Sequence, residues 1–166
     1  MAEDEISVFY LDSPMGLLKL EGDSNGVSSI DFAASDKKAG LIDEIPTDLS
    51  NAVLQLTEYF HRKRTSFNIP LNAKGTDFQR AVWDGLQTIP FGKTISYKEL
   101  AVHIGRPTST RAAANAIGKN PILIIVPCHR VIGSDGTLTG FSSGLHHKKW
   151  LLNHEDAPCM KKVSNQ

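Results

Sequence analysis

Cysteine is scarce in this sequence, with only two residues, Cys128 and Cys159, among 166. Two thiols do not make a disulfide framework, so we expect reduced cysteines in an intracellular compartment, either the cytoplasm or the nucleus. The segment from Met1 to Glu5 is acidic and lacks the basic-then-apolar order of a signal peptide. A small secreted domain that depends on disulfides is therefore not expected.

Long apolar runs and metal-binding spacings are missing as well. No apolar run approaches the roughly 20 residues of a membrane-spanning helix, and no C-x-x-C spacing of the kind found at zinc sites is present. The chain is 40% apolar and 22% charged, which is typical of a soluble globular protein. We therefore expect no membrane association and no bound metal.

The charge is balanced overall but uneven along the chain. Residues 1–74 carry 7 Lys and Arg against 12 Asp and Glu, whereas residues 75–166 carry 11 against 6. The second half is thus basic, and we expect any polyanionic partner to contact that half.

The first half has the pattern of a small antiparallel sheet followed by a helix. Three short β-prone runs, separated by turn residues, predict strands at residues 5–12, 17–21 and 27–32. Residues 33–47 predict a loop, and Asp48 or Ser50 is expected to cap a helix that continues to about Arg64. Residues 67–71 are compatible with one more short strand, and Asn72 to Gly75 predict a linker.

The second half begins with three predicted helices. Thr76 is expected to cap the first, which ends near Thr88. Ser96 and Glu99 form a capping box that starts a second helix, which ends near His103. Ser109 or Thr110 is expected to cap the third, Arg111 to Ile117. Two short helices joined by a glycine-containing turn predict a helix-turn-helix.

An apolar run that ends in a thiol follows these helices. Residues 122–126 are all apolar, Pro127 stops the run, and Cys128, His129 and Arg130 come next. We expect Cys128 at the end of a buried strand, because proline interrupts a regular central strand. A neighbouring imidazole or positive charge favours the thiolate and makes a cysteine nucleophilic. The alternative is that Cys128 is a small core residue.

The chain is expected to end in a small-residue loop, a helix and a tail. Residues 139–144 form the loop, and the helix spans about His146 to His154, with Trp150, Leu151 and Leu152 packing inward. The adjacent pair His146 and His147 is expected at the surface. Glu155 ends the helix, and the residues from about 157 onward, including Cys159, are expected to be disordered.

Four segments, taken together, resemble the O6-alkylguanine-DNA alkyltransferase family. They are Asn120-Pro121, Pro127-Cys128-His129-Arg130-Val131, Gly140-Phe141-Ser142 and Trp150-Leu151-Leu152-Asn153-His154-Glu155. The resemblance covers residues 76–155 closely. It implies an α+β chain with two domains. Residues 1–74 would form a small antiparallel sheet of ribonuclease H-like type. Residues 75–166 would form a mostly helical, winged-helix-like domain that contains the helix-turn-helix.

The implied activity is direct DNA repair. The alkyl group would move irreversibly from O6 of guanine, and also from O4 of thymine, to the protein's own cysteine in a single turnover. The expected partner is double-stranded DNA that contains O6-alkylguanine, bound by a monomer. No G-x-G-x-x-G fingerprint is present, so we expect no methyl-donor cofactor. Some relatives bind a structural zinc through cysteine and histidine in the first domain, and those cysteines are absent here.

The resemblance also assigns roles to individual residues. Cys128 would be the nucleophile, His129 its base through a water molecule, and Glu155 the residue that orients His129. Asn120 would hold the cysteine loop in place. Tyr97 would contact the phosphate of the target nucleotide and donate a hydrogen bond to guanine N3.

Further residues are implied in contacts with DNA and with the target base. Arg111 would fill the space that a flipped nucleotide leaves in the duplex. The expected DNA contacts are Ser96, Tyr97, Thr110, Arg111, Ala112 and Ala113. The expected pocket residues are Ile117, Val131, Phe141, Ser142 and Ser143. The carbonyls of Cys128 and Val131 would receive the guanine amine, and the Ser142 N–H would donate to O6. Phe141 replaces a frequent tyrosine, and Ser143 replaces a frequent glycine.

Two other functions remain open from the residues themselves. A lesion-binding protein on the same scaffold would replace the active cysteine, whereas Cys128 is present. A cysteine hydrolase could use Cys128, His129 and Glu155, but it would need an oxyanion hole and turnover, for which the sequence offers no separate support.

Overall fold

The structure, a computed structural model, describes residues 5–157. It divides into two compact units, residues 1–74 and residues 75–166. Cys159 and the tail that we expect to be disordered lie outside the described residues. Among residues 5–157, none of the helices is long and apolar enough to cross a membrane. Together the units give a mixed α and β fold, with the sheet in the first unit and most of the helices in the second, as the sequence predicts.

The first unit contains an antiparallel sheet of three strands in sequential order. The strands are β1 (Ser7–Leu11), β2 (Leu18–Asp23) and β3 (Gly26–Phe32). Phe9 pairs with Leu20, and Leu20 pairs with Ile30. All three side chains are buried, because alternate residues of a strand point to the same face. The predicted meander is confirmed.

The helix of this unit, α1 (Ser50–Phe60), differs from the prediction at both ends. Leu49 holds the N-cap position without a side-chain hydrogen bond, so the predicted caps at residues 48 and 50 are wrong. The helix ends before residue 64 because Arg62 has φ of +61°. The possible strand at residues 67–71 reduces to one bridge between Val27 and Leu71.

The described part of the second unit, residues 75–157, contains four α-helices and a short parallel ladder. The helices are α2 (Asp77–Leu86), α3 (Tyr97–His103), α4 (Thr110–Gly118) and α5 (Leu145–His154), and the ladder pairs β4 (Ile95–Ser96) with β5 (Val131–Ile132). Thr76 caps α2 and Ser96 caps α3, each with a complete capping box. Ser109 precedes α4 without a side-chain cap. The predicted helix-turn-helix is present as α3 and α4.

Packing fixes α4 against its neighbours. The indole of Trp83 on α2 donates a hydrogen bond of 2.9 Å to the carbonyl of Ala116 on α4. Ala113 and Ala116 are buried in the same helix. On α5, Leu151 and Leu152 are buried as predicted. Trp150 is only half-buried and stacks on His154 with ring centroids 4.9 Å apart, so its predicted place in the core is wrong.

The buried strand predicted before Cys128 is also wrong. Residues 122–126 are buried, but they form tight turns, with the Val126 N–H bonded to the Ile122 carbonyl at 3.1 Å. Ile124 has φ of +73°, which is rare for a β-branched residue and incompatible with an extended strand. A short apolar run does not distinguish a strand from buried turns by its composition alone.

Candidate active site

Cys128 lies at the start of a 3-10 turn, Cys128–Arg130, and its side chain is buried. Pro127 has φ of −82° and ψ of 65°, the geometry of an inverse γ-turn. The Cys128 N–H accordingly donates to the Val126 carbonyl at 2.8 Å. Two successive turns therefore place the thiol, where the sequence alone suggested the end of a strand.

Burial dominates the electrostatics of this thiol. It raises the pKa of Cys128 from 9.0 to about 11, while Asn120 and the charge of Lys148 act in the opposite direction. Desolvation penalises the thiolate, so the resting group is a neutral thiol at neutral pH. A nucleophilic role then requires a nearby base that removes the proton as the reaction proceeds.

Asn120 holds the turns that carry the cysteine. Its side-chain amide donates to the Val126 carbonyl at 2.8 Å and accepts from the Ile122 N–H at 3.0 Å. Its own backbone N–H donates to the Ile117 carbonyl at 3.1 Å. The backbone of Asn120 thus bonds the end of α4, while its side chain bonds the cysteine loop, which is consistent with the clamp that the resemblance implies.

His129 and Glu155 form a buried hydrogen-bonded pair. Nε2 of His129 lies 2.8 Å from Oε2 of Glu155, and both side chains are fully buried. Burial, aided by the charges of Arg130 and Lys148, lowers the pKa of His129 below its ordinary value, although Glu155 acts to raise it. Burial opposes ionisation of Glu155, but His129 and Arg130 outweigh it and hold the pKa of that carboxyl well below its usual range.

These charges fix the tautomer of the imidazole. An ionised carboxylate only accepts hydrogen bonds, so the proton of neutral His129 resides on Nε2 and points at Glu155. Nδ1 therefore keeps an unprotonated lone pair. It is buried and has no hydrogen-bond partner among the described residues.

Two cations, Arg130 and Lys148, lie beside the His129–Glu155 pair. The sequence analysis assigned a role to neither of them. Arg130 donates to both oxygens of Glu155, at 2.8 Å from Nε and 3.0 Å from a terminal nitrogen. Lys148 is fully buried and donates to the Thr139 carbonyl at 2.9 Å. A signal for Lys148 was available, because it stands three and four residues before Leu151 and Leu152 on the buried face of α5.

Tyr97 is tied to the small-residue loop through Thr139. Its hydroxyl donates to the Thr139 carbonyl at 3.0 Å and accepts from the Thr139 hydroxyl at 3.2 Å. The ammonium of Lys148 lies 5.8 Å from the Tyr97 ring centroid. Burial raises the pKa of Tyr97, and proximity to Cys128 adds to the effect. The phenol therefore remains a neutral proton donor near the thiol.

A cleft of about 870 Å³ lies beside Tyr97 and the start of α4. Several of the predicted DNA and pocket residues line it, namely Tyr97, Thr110, Arg111, Ile117, Phe141 and Ser142. Lys98 and Thr139 also line it and were not predicted. The cleft joins the helix-turn-helix to the loop after the cysteine, which suits a ligand that contacts both.

Other predicted contacts fit the structure less well. Ala113, a predicted DNA contact, is fully buried, so its side chain offers no surface to a duplex. Ala112 is exposed, and Ala114 lines the cleft. Ser96 is 8% exposed, and its hydroxyl already accepts from the Glu99 N–H. The Ser96 side chain is therefore a helix cap here, not a surface contact.

Two pocket residues have surroundings that the sequence did not reveal. Val131 is fully buried, and its N–H donates to the Cys128 carbonyl, which keeps one lone pair for a ligand. Ser143 has a buried hydroxyl without a hydrogen-bond partner among the described residues. The predicted contacts of these two residues with guanine remain predictions.

Both halves of the chain match known family models. Residues 8–73 match the ribonuclease-like domain of 6-O-methylguanine DNA methyltransferase, and residues 77–157 match its DNA-binding domain. Similar proteins include methylated-DNA–protein-cysteine methyltransferases from Methanosarcina barkeri and Haemophilus influenzae. The first is 46% identical and covers 88% of this chain and 94% of the relative. The second is 41% identical and covers 92% and 88%.

Solved structures agree with these matches. The crystal structure of Mycobacterium tuberculosis O6-methylguanine methyltransferase has a TM-score of 0.79 at 41% identity, over 93% of this chain and 96% of the other. The structure of Mycobacterium tuberculosis OGT in complex with DNA has a TM-score of 0.79 at 43% identity, over 90% and 93%.

The matches extend over both units, and they account for a buried cysteine beside a helix-turn-helix. They indicate repair of DNA by transfer of an alkyl group to a cysteine of the protein, with DNA as the partner. The chain belongs to the methylated-DNA–protein-cysteine methyltransferase family.

Proposed function

We propose that Cys128 accepts the alkyl group from O6 of guanine, and from O4 of thymine, in double-stranded DNA. The observation that carries this assignment is the buried 2.8 Å hydrogen bond between Nε2 of His129 and Glu155. Glu155 holds the imidazole proton on Nε2, and Nδ1 is left as a buried proton acceptor beside the only cysteine of the described residues. The other groups of the site act before or after this proton transfer.

The thiol proton leaves first. In this proposal a water molecule connects the Cys128 thiol to Nδ1 of His129, and the imidazole becomes imidazolium against the Glu155 carboxylate. Lys148 stabilises the thiolate as it forms, because its charge lowers the pKa of Cys128. The buried carboxylate already accepts two hydrogen bonds from Arg130, so it is held in place before the proton moves.

The sulfur then attacks the alkyl carbon. A C–S bond forms while the C–O6 bond breaks, and the electron pair of the broken bond stays on guanine. Tyr97 donates a proton or a hydrogen bond to the leaving base, which requires its hydroxyl to turn away from Thr139. The product thioether is unactivated, so each molecule of protein reacts once.

The target base has to leave the duplex to reach a buried thiol. We infer that the nucleotide flips through the minor groove at a cost of a few kcal/mol. Arg111 lines the cleft at the start of α4 and is exposed, so it can occupy the vacated position. Exposed Ala112 leaves room for the helix to approach a narrow groove.

One copy of the chain is sufficient for this chemistry. The thiol, its base, the carboxylate, the phenol and the cleft all belong to residues 97–155. We therefore infer that the protein acts as a monomer. Sedimentation of the free protein, and of the protein on a short duplex with a single lesion, should give one copy in each case.

The test compares the protein with Cys128→Ser on three duplexes. They contain O6-methylguanine, O4-methylthymine or no lesion, and transfer is followed by loss of the methyl group from the DNA. The wild type should demethylate both lesions, whereas Cys128→Ser should bind the lesion duplexes and transfer nothing. Transfer by Cys128→Ser would sink the proposal, and turnover of an ester or amide substrate would favour a cysteine hydrolase instead.

A further inference from the structure

Arg130 is a heavily bonded cation of the site, and in the proposed chemistry it holds the carboxylate without transferring a proton itself. It is 6% exposed. Its guanidinium bonds both oxygens of Glu155 and donates to the Ile89 carbonyl at 2.6 Å. It also lies 5.9 Å from the ring centroid of Phe91. Three fixed hydrogen bonds and an aromatic face hold the group in one orientation.

Glu155 occupies an unfavourable position for a carboxylate. It is the C-cap residue of α5 and is 2% exposed. The C-terminal end of a helix carries partial negative charge, which repels an anion, and burial penalises the charged form. An ionised Glu155 therefore needs a permanent cation, and the guanidinium of Arg130 is the group that contacts it.

We propose that Arg130 is a positioning residue that keeps Glu155 ionised and His129 neutral, so that Nδ1 remains the proton acceptor toward Cys128. The inference rests on the proposed function in taking His129 as the base. Arg130 does not touch the reacting atoms. It acts through Glu155, whose carboxylate it holds as the acceptor of the Nε2 proton.

The charges around His129 support this assignment. The groups that face it are Glu155, Arg130 and Lys148, with Cys128 adjacent in sequence. Arg130 and Lys148 both lower the pKa of His129, whereas Glu155 raises it. Lys148 donates to the Thr139 carbonyl, whereas Arg130 donates to both oxygens of the carboxylate.

Removal of the guanidinium should change the protonation of the pair. Without Arg130, binding of a second proton to the His129–Glu155 pair becomes more favourable, because that proton balances the charge of Glu155. That proton would reside on the imidazole or on the carboxylate, and the pair titrates as a unit. In either case the additional proton binds at a higher pH, and the lone pair of Nδ1 is lost or is no longer held toward the thiol.

The first measurement uses the wild-type protein and nitrogen NMR with labelled histidine. His129→Asn identifies the resonance of residue 129 among the six histidines. The expected spectrum is that of the Nε2–H tautomer, neutral at neutral pH and still neutral below the ordinary value of about 6.5. An Nδ1–H tautomer, or an imidazolium at neutral pH, would overturn the proposal without any variant.

Two variants then separate charge from shape. In Arg130→Met, the protonation midpoint of the His129–Glu155 pair should rise by about one pH unit or more. The pH at which the transfer rate falls on the acid side should rise by the same amount. Arg130→Lys keeps the positive charge but lacks the paired N–H donors of the guanidinium. Its protonation midpoint should therefore match that of the wild type, even if its transfer rate is low. An unmoved midpoint in folded Arg130→Met would mean that Arg130 only supports the fold.

The outcomes distinguish this inference from the proposed function. In Arg130→Met, the protonation midpoint measured by NMR could rise while the pH dependence of the transfer rate stays unchanged. That result would support the effect of Arg130 on the pair and exclude His129 as the base. If Arg130→Met does not fold, Arg130→Met/Glu155→Gln removes both charges of the buried pair, which proteins tolerate better than removal of one. In that variant the imidazole should stay neutral at neutral pH, and a raised midpoint there would contradict the inference.

Discussion

Nε2 of His129 lies 2.8 Å from Oε2 of Glu155, and both side chains are fully buried. The pair sets the resting state of the site, because an ionised carboxylate fixes the imidazole proton on the nitrogen that faces it. In the proposed function, the other nitrogen accepts the proton of Cys128.

This arrangement makes the fold sensitive to acid. Folding lowers the pKa of both His129 and Glu155, so the unfolded chain binds more protons than the folded one as the pH falls. The free energy of unfolding should decrease below pH 6.5, the ordinary value of His129, and further below 4.5, the ordinary value of Glu155. Chemical denaturation at several pH values measures this slope.

Glu155→Gln is the variant that checks the source of the acid sensitivity. It removes the carboxylate and leaves Arg130 without its charge partner, so the variant should be less stable at neutral pH by roughly 3–5 kcal/mol. Its stability should change less than that of the wild type below pH 4.5. Parallel curves for the two proteins below that pH would contradict this assignment.

The buried thiol should produce the opposite slope in alkali. The pKa of Cys128 rises from 9.0 to about 11 on folding, so the unfolded chain ionises first. Stability due to this group is intact below pH 9 and is lost as the pH rises toward about 11. The loss should be at most roughly 3 kcal/mol. Cys128→Ala should lack it, as should the protein after methylation, because neither has a titratable thiol.

Lys148 should control the rate without being consumed. Lys148→Met removes the positive charge that lowers the pKa of Cys128, so transfer at neutral pH should slow by about tenfold or more and partly recover as the pH rises. Lys149→Met is the matched control, because Lys149 is its exposed neighbour on α5. Equal rates for Lys148→Met and the wild type would exclude the proposed charge effect.

Local signals in the sequence predicted much of the fold. The cap at Ser96 was predicted because Glu99, three residues later, completes its capping box. Thr76 was predicted as a cap from its position before an amphipathic helix, and its capping box with Gln79 appears only in the structure. The prediction of a strand before Cys128 was wrong. A run in which every residue is apolar indicates burial, but it has no periodicity that distinguishes a strand from buried turns. The left-handed conformation of Ile124 has no signature in residue type.

The sequence predicted only part of the site. A resemblance in motifs brought Cys128, His129 and Glu155 together, and the structure supplies the hydrogen bond that joins the last two. Arg130 follows His129 directly, but the sequence analysis assigned it no role, because its partner Glu155 is 25 residues away. The inward position of Ala113 depends on which face of α4 packs against α2, which three small residues in a row do not determine.

Loss of Arg111 should slow transfer from duplex DNA without changing the reactivity of the Cys128 thiol. Arg111→Ala removes the cleft residue proposed to fill the duplex after flipping, so transfer from O6-methylguanine in a duplex should slow about tenfold or more. Reaction with the free methylated base should be unchanged.

Arg106→Ala controls for the loss of one positive charge. Arg106 is exposed before α4, lies 6.0 Å from the Phe78 ring centroid and does not line the cleft. A loss in Arg106→Ala as large as that in Arg111→Ala would mean that both act only through general attraction to phosphate.

Intact mass spectrometry after reaction with a duplex that carries one O6-methylguanine tests the central claim most directly. The account predicts a gain of one methyl group that saturates at one equivalent of DNA, with the added mass on the peptide that contains Cys128. A methyl group on any other residue, or a protein of unchanged mass after the DNA has lost its methyl group, would contradict it.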